Sequence, residues 1–479
     1  MSKRFRRILF WIIVGCFLVA GFVVLIYSFG YRLDSETLKF VKTGGLYLKT
    51  SPKVADVFLD GEKINKSSGL LTSGIFIQNL IPKNYQLKIS KADYFEWQKK
   101  IKIEPTLVNS FSHIVLLPKS PFKEKIYLAT STEEIMNFLP LENSDELLSE
   151  TREKNRLGWF DILKIVNKKE GTATEIFKRK IASAENLDLL NKLIFEDNKP
   201  SRLIIPFYDK VSAQTTFYLW DRLEPAKLAN LSQVFSQYLA AKIKKIIFHP
   251  FEESKFFVET TKKIVIFDSD RGEISYLPAN NPLDFVLSGG NLFWVEKDGS
   301  VYSYNLILKS TSPLAIIEEK NLEIGRLVVS SNSEYTAVLL KGGKLFLIQG
   351  GQPPKILSEK AEAFVFSFDN KKVAYLENGR LKIYFLEDLI QDITKKAGEE
   401  VVIEDFGSET ATNFSWYKDS FHLIIQTGEK TFFAEIDDRD KINTFDYQFG
   451  SGRYLFGKEG IVFRLAPSFI ERINLVIGE

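Results

Sequence analysis

Apolar residues fall at every second position through long stretches of this chain. In residues 361–386, AEAFVFSFDNKKVAYLENGRLKIYFL, Phe364, Phe366 and Phe368 alternate, Lys371 and Lys372 interrupt, and Val373 to Leu376 begin a second run. Asn378-Gly379 then turns the chain, and Leu381, Ile383 and Phe385 alternate again. A period of two gives a strand with one buried face, and Asn-Gly between two such runs supplies the positive φ of a tight hairpin. The pattern predicts a three-strand meander. Its three phenylalanines are expected to pack on the neighbouring sheet, with Val365 and Ser367 on the opposite face.

The unit recurs at residues 245–277, 284–306, 326–357 and 413–437. Ser330, Ser367 and Ser415 are read as equivalent positions before a turn, with His249 at the same place in an earlier unit. Asp298-Gly299, Gly342-Gly343 and Gly428-Glu429 mark further reversals. Repeats of about 40 to 50 residues with several strands each predict a β-propeller of about seven blades over residues 122–479, the spacing also allowing six or eight. Its style resembles the WD40-like propellers of bacterial periplasmic proteins such as the TolB family, without the Gly-His or Trp-Asp signatures. Residues 131–155 are polar and read as a divergent first blade or an insertion. Leu231, Val234, Phe235, Tyr238 and Leu239 have helical spacing. Residues 454–465 are expected to complete the last blade, with a strand near residues 125–128 closing the ring.

Residues 44–118 follow a different pattern. Leu46 and Leu48 alternate, Ser51-Pro52 ends that run, and Val57 and Leu59 precede an Asp60-Gly61 hairpin turn. Tyr85, Leu87 and Ile89, then Trp97, Ile101 and Ile103, give further strands. A small β-sandwich of about 75 residues, with its own core, is expected. The stretch SPKVADVFLDGE resembles the PEGA domain of prokaryotic envelope and surface proteins, through Pro52, Ala55, Val57, Asp60 and Gly61. It departs from that pattern at Val54, Thr72-Ser73, Asn84 and Asp93. The resemblance implies an adhesive or spacer module without catalytic residues.

Alternation is absent at the start. Residues 8–31 carry no charge and follow MSKRFRR, a length sufficient to cross a bilayer as one helix. Ile8, Trp11, Cys16, Phe29 and Tyr31 are the expected anchor residues, with residues 32–43 as a linker. Lys3, Arg4, Arg6 and Arg7 hold the N-terminus in the cytoplasm by the positive-inside rule, which exports the rest. A cleaved signal peptide is the competing reading, against which stand the length of the run and the lack of an A-x-A-like site after it. Ile13-Val14-Gly15-Cys16 resembles a lipoprotein box, but residues 17–29 remain apolar where such proteins turn polar. A single-pass cell-membrane protein is expected, the bulk of it extracytoplasmic.

Composition narrows the chemistry. The chain has 479 residues, 64 basic and 61 acidic, so no net field points to nucleic acid. Lys99-Lys100 and Lys242, Lys244 and Lys245 read as solvated faces. The single cysteine, Cys16, rules out an intrachain disulfide. Three histidines, His113, His249 and His422, form no metal or hydrolase motif, and Asp268-x-Asp270-x-Gly272 reads as a polar turn. Asn65, Asn230 and Asn413 head chance glycosylation sequons. No enzyme activity, cofactor or metal is expected. The order of anchor, small β module and propeller predicts a binding or scaffold protein of the cell envelope whose loops meet a protein or glycan. A structural spacer is the alternative, and a hydrolase using the propeller funnel a remoter one.

Overall fold

The computed structural model describes residues 3–34, 37–64, 74–141, 144–181, 190, 193–196, 199–209, 214–390, 392–403, 406, 409–457 and 459–476. Asn65 and Thr72-Ser73 lie outside these. The first element is a helix, Lys3–Ser28, whose apolar side chains beyond Arg7 are exposed. A two-stranded hairpin (Tyr31–Leu33 with Phe40–Lys42) leads from it into the small module.

The module stacks two sheets. Strand Gly44–Ser51 lies between Ile75–Leu80 and Val108–Val115, the last parallel to it. The other sheet orders Glu62–Lys63, Asp56–Leu59, Asn84–Ser90 and Trp97–Lys102. Alternate residues Leu46, Leu48, Val57, Leu87, Ile89, Trp97, Ile101 and Phe111 fill the space between. Asp60 and Gly61 both have positive φ, which builds the tight turn expected there.

Residues 122–476 form a propeller. Among the described residues there are eight four-stranded antiparallel sheets in it, at residues 133–181, 194–230, 243–276, 282–316, 324–358, 361–403, 413–448 and 453–474 with 122–128. Each runs as a meander from inner strand A to outer strand D. Blade 8 is completed by strand Phe122–Leu128, which pairs outside Phe469–Asn474 from Phe122↔Asn474 to Leu128↔Phe469. Hydrogen bonds between the two ends of the domain thus close the ring.

Eight blades lie at the upper end of the six to eight that the repeat spacing allows. The polar stretch forms the divergent first blade and not an insertion. Its strand Glu146–Asn155 is sandwiched on both faces, and Ser149, Glu150, Thr151 and Arg152 are buried. Arg152 Nε donates to Asp161 Oδ1 at 3.1 Å, so paired charges stand where other blades have apolar side chains. The short helix also forms, as Leu231–Ser236, between blades 2 and 3, capped by Asn230 Oδ1 accepting from Gln233 N at 3.0 Å.

Blade 6 is the 361–403 unit. Phe364 and Phe366 are buried with Tyr335, Ala337 and Leu347 of blade 5. Phe368 is exposed, because strand A ends at Phe366 and the chain has entered a turn. Ser367 is buried there by its own hydrogen bonds.

Candidate functional site

The A–B turns carry a repeated device. In blade 6, Ser367 Oγ donates to Asp369 Oδ1 at 2.5 Å and accepts from Lys372 N at 3.0 Å, while Lys372 Nζ reaches Asp369 Oδ2 at 2.6 Å. In blade 5, Ser330 Oγ donates to Asn332 and accepts from Tyr335 N. Blade 7 uses Tyr417, Asp419 and His422, with His422 Nδ1 at 2.7 Å from Asp419 Oδ2. Ser415 is therefore not the equivalent of Ser367. It lies two residues earlier, inside strand Asn413–Trp416, and Tyr417 takes the turn position. An acidic residue followed three positions later by a cation was the signal in the sequence, and it passes unnoticed when serine alone is aligned.

Adjacent turns are tied together. Ser288 Oγ donates to Ser330 O, Ser331 N donates to Asn370 Oδ1, and Asp369 N donates to Ser420 Oγ. Lys418 reaches Glu459 of blade 8. In a meander the A–B and C–D turns share one end, so this ring of bonds defines one face of the propeller.

The small module docks on that face, over blades 6 and 7. Lys99, read as part of a solvated face, is instead 0% exposed. Its Nζ lies 2.8 Å from Glu435 Oε1 and donates to the carbonyls of Asp437 and Lys441, each at 2.6 Å. Glu435 also accepts from Trp97 Nε1 at 2.8 Å and from Asn443 N and Nδ2. Every charge here is paired and hydrogen-bonded, which buried ions require. Arg439 bonds Asp437 through Nε and Nη2, donates to Ser110 O, and stacks over Phe111 at 3.9 Å. Tyr447 donates to Pro118 O at 2.7 Å, and burial pushes its hydroxyl pKa up.

Beside this lies a cavity of about 20 Å³, lined by Trp97, His113, Asp392, Phe421, His422 and Arg439 among others, enough for about one water. His113 and Asp392 meet there, and Asp392 is also bonded by Ser110 and by Ser112, which lines the cavity. Ser110 Oγ donates to Asp392 Oδ1 at 2.5 Å, and His113 Nε2 lies 3.4 Å from Asp392 Oδ2. The hydrogen bond from His113, against the effect of burial, holds the Asp392 carboxyl well below the usual range. The serines are bonded to the carboxylate rather than to the imidazole, so the relay of a nucleophile to a base does not form. His113 stacks flat on Phe421, with ring centroids 3.7 Å apart. Among the described residues no group of three or more His, Cys, Asp or Glu is placed to hold a metal ion.

His422 makes the junction pH-sensitive. Burial alone lowers its pKa, but Asp419, and beyond it Glu435 and Asp437, outweigh burial and hold it above the ordinary 6.5. Asp419 is pushed up by burial, yet His422 and the backbone of Phe421 bring it below 3.8. A raised histidine stabilises fully below its unfolded pKa, and that contribution is lost as pH rises through the folded value. The lowered aspartate contributes above 3.8 and loses this as pH falls. The melting temperature is expected to fall as pH rises above 6.5. His422→Lys, which copies Lys372 of blade 6, should flatten that dependence. Parallel wild-type and mutant curves across this range would refute the assignment.

The remaining sequence-derived residues take these places. Ile8, Trp11 and Cys16 are exposed on the helix, Phe29 is exposed just past its end, and Tyr31 begins the hairpin. Pro52 follows the first module strand, Ala55 and Val57 are in the core, and Gly61 turns the chain. Asp60 accepts from Gln86 N at 2.8 Å and pairs with Lys83 at 3.0 Å; the backbone bond leads in lowering its pKa. His249 sits at the blade 3 turn, half-stacked on Phe257, and burial lowers its pKa. Asp268 accepts from Asp270 N and Arg271 N, closing a polar turn. Asn413 Oδ1 accepts from Phe414 N. Lys245 spans to the next blade, 2.8 Å from Asp284 Oδ1.

No sequence family matches the chain, and no curated protein does. Among solved structures it is similar to the C-terminal WD40 domain of Sif2, at 10% identity and a TM-score of 0.45, covering 75% of this chain and 99% of that one. The computationally designed Ika8 protein is 11% identical, covering 73% of this chain and 99% of that one, with a TM-score of 0.43. Hsv2 of Kluyvelomyces marxianus is 10% identical, covering 67% and 100%, with a TM-score of 0.38. The propeller assignment rests on the strand pairing itself.

Proposed function

We propose that this chain is a membrane-anchored binding or scaffold protein of the cell envelope, with its propeller outside the cytoplasm. One observation carries the reading. The span Arg6–Ser28 is 23 residues long, its most apolar 18-residue stretch has mean hydropathy 2.9, and none of that stretch is buried against the rest of the molecule. A helix of that character has no stable place in water, while a bilayer satisfies it. The module, with its PEGA-like Pro52, Ala55, Val57, Asp60 and Gly61, acts as the spacer between membrane and propeller.

The partner is a protein or glycan met on the face that bears the A–B and C–D turns. Support comes from exposed apolar side chains at those turns: Leu223, Phe251, Ile307, Leu308 and Ile390. Exposed apolar side chains gathered at one face mark contact surfaces more often than scattered ones do. The test is recovery of partners from membranes by the full chain. The triple variant Leu223→Asp, Phe251→Asp, Ile307→Asp should lose whatever the wild type retains. Equal recovery by both moves the partner elsewhere, and recovery by neither leaves the spacer reading, which the buried weld between module and propeller favours.

Topology has its own test. Protease outside intact cells with a permeable wall is expected to remove everything beyond Tyr31 and spare the basic N-terminus. A propeller that survives until the membrane is broken reverses the orientation. Cys16→Ser should leave attachment and mature mass unchanged, since the helix and not a lipid holds the chain; a lipid-sized mass lost in the mutant would overturn this.

A further inference from the structure

The helix does not end loosely. Phe29 N donates to Leu25 O, Gly30 N to Tyr27 O, and Ser28 Oγ to Leu25 O. Arg32 Nη1 donates to Tyr27 O at 3.0 Å, and its guanidinium lies 4.2 Å from the Tyr27 ring centroid. A cation on the last carbonyls offsets the negative end of the helix dipole. Thr43 closes the hairpin on the helix end, its N and Oγ1 both bonding Gly30 O at 2.9 Å. Thr43 O in turn accepts from Thr106 N of the module. The direction of the hairpin relative to the helix is thereby fixed.

That hairpin carries apolar side chains with about half or more of their surface uncovered. Leu33 faces Phe40 across the strands, and both are exposed, at 47% and 51%. Leu38 at the turn is 75% exposed. Phe76, Leu107 and Val108 of the module are also exposed, beside Gly44 and Gly45 where the chain enters from Thr43. Exposed Lys39 and Lys42 stand among them. About 20 helical residues at roughly 1.5 Å each span the hydrocarbon core. Counted from Ile8, that distance ends at Tyr27, so the hairpin begins four residues later, at the depth of the lipid headgroups.

We propose that Leu33, Leu38 and Phe40, with Phe76, Leu107 and Val108, form an apolar collar that sits in the interfacial layer of the outer leaflet and sets the orientation of the module. Apolar and aromatic side chains enter this layer, while lysines beside them meet lipid phosphates. The lipid is the occupant because the collar starts at Leu33, four residues along the chain from Phe29, the last exposed apolar side chain of the helix end. The inference rests on the anchor reading given above.

The single native cysteine makes the test direct. In a Cys16→Ser background, Phe40→Cys, Leu107→Cys and, as a reference on the propeller, Ile307→Cys are labelled with an environment-sensitive fluorophore. The full chain is placed in vesicles of phosphatidylcholine and phosphatidylglycerol, some of whose lipids carry a nitroxide near the head of the acyl chain. Labels at positions 40 and 107 are expected to shift to the blue and lose most of their intensity, and the label at 307 neither. Without label, Leu38→Ser with Phe40→Ser should make cleavage by trypsin at Lys39 and Lys42 many times faster than in the wild type. A chain that floats with the vesicles while position 40 is unquenched, quenching equal at all three sites, or unchanged cleavage overturns the collar and leaves the anchor standing. A chain that does not float with vesicles overturns the anchor reading itself, and the collar falls with it.

Discussion

Glu435→Leu is expected to cost the folded protein about 3–5 kcal/mol and to release the small module from the propeller. The carboxylate holds Lys99, Trp97 and Asn443 at once. Without it, a fully buried ammonium keeps two carbonyl oxygens but loses its nearest compensating charge. Removing one member of a buried pair is far worse than removing both, because the cost is that of the orphaned charge. The double variant Lys99→Met, Glu435→Leu should therefore recover much of the loss, a coupling that a double-mutant cycle reads directly. Denaturant unfolding gives the energies, and limited proteolysis shows whether the module comes free. A double variant as unstable as Glu435→Leu alone would mean that the pair is not what holds the junction.

That junction marks where sequence reading stops. The helix was legible because residues 8–31 form one uncharged apolar run, and most blades because period-two alternation repeats between turn residues. Blade 1 was legible only as a divergent blade or an insertion, because its buried strand uses Arg152 against Asp161, which local hydropathy scores as surface. Lys99 was hidden for a stronger reason. Beside Lys100 it has the character of a solvated face, and the groups that bury it lie 338 residues away, on a turn of blade 7. No local pattern encodes such a partner. His422 lay between these cases: the spacing from Asp419 repeats that from Asp369 to Lys372, but only the folded turn shows that the two cations are equivalent. Phe368 failed by one step, since alternation continues in the sequence after the strand has ended.

Phe366→Ala is expected to lower the stability of the propeller by about 3–5 kcal/mol. The ring is buried at the contact of blades 5 and 6, edge-on to Phe364 with centroids 6.4 Å apart. Its strand partner is Val373, and Tyr335, Tyr384 and Leu386 share the same cluster. Interdigitated sheets cannot close over a missing ring, so a cavity remains. Phe366→Asp should be worse, because a carboxylate would be buried there without a partner. In a closed ring the damage should not stay local. Blade 5 leans on this strand through Arg326, whose guanidinium stacks near Phe364 and donates to its carbonyl. Blade 7 leans on it through Trp416 Nε1, which donates to Val365 O at 3.2 Å. The small module has a core of its own, but it rests on Asp392 of blade 6 and Glu435 of blade 7. Weakening blade 6 should therefore loosen the module as well, and both should melt in one shifted transition. Near-ultraviolet circular dichroism follows the whole chain, and a fluorophore on the module surface follows that part alone. If the module signal keeps its wild-type midpoint while the propeller signal falls, the buried weld does not couple the two. If neither moves, Phe366 is not in the core.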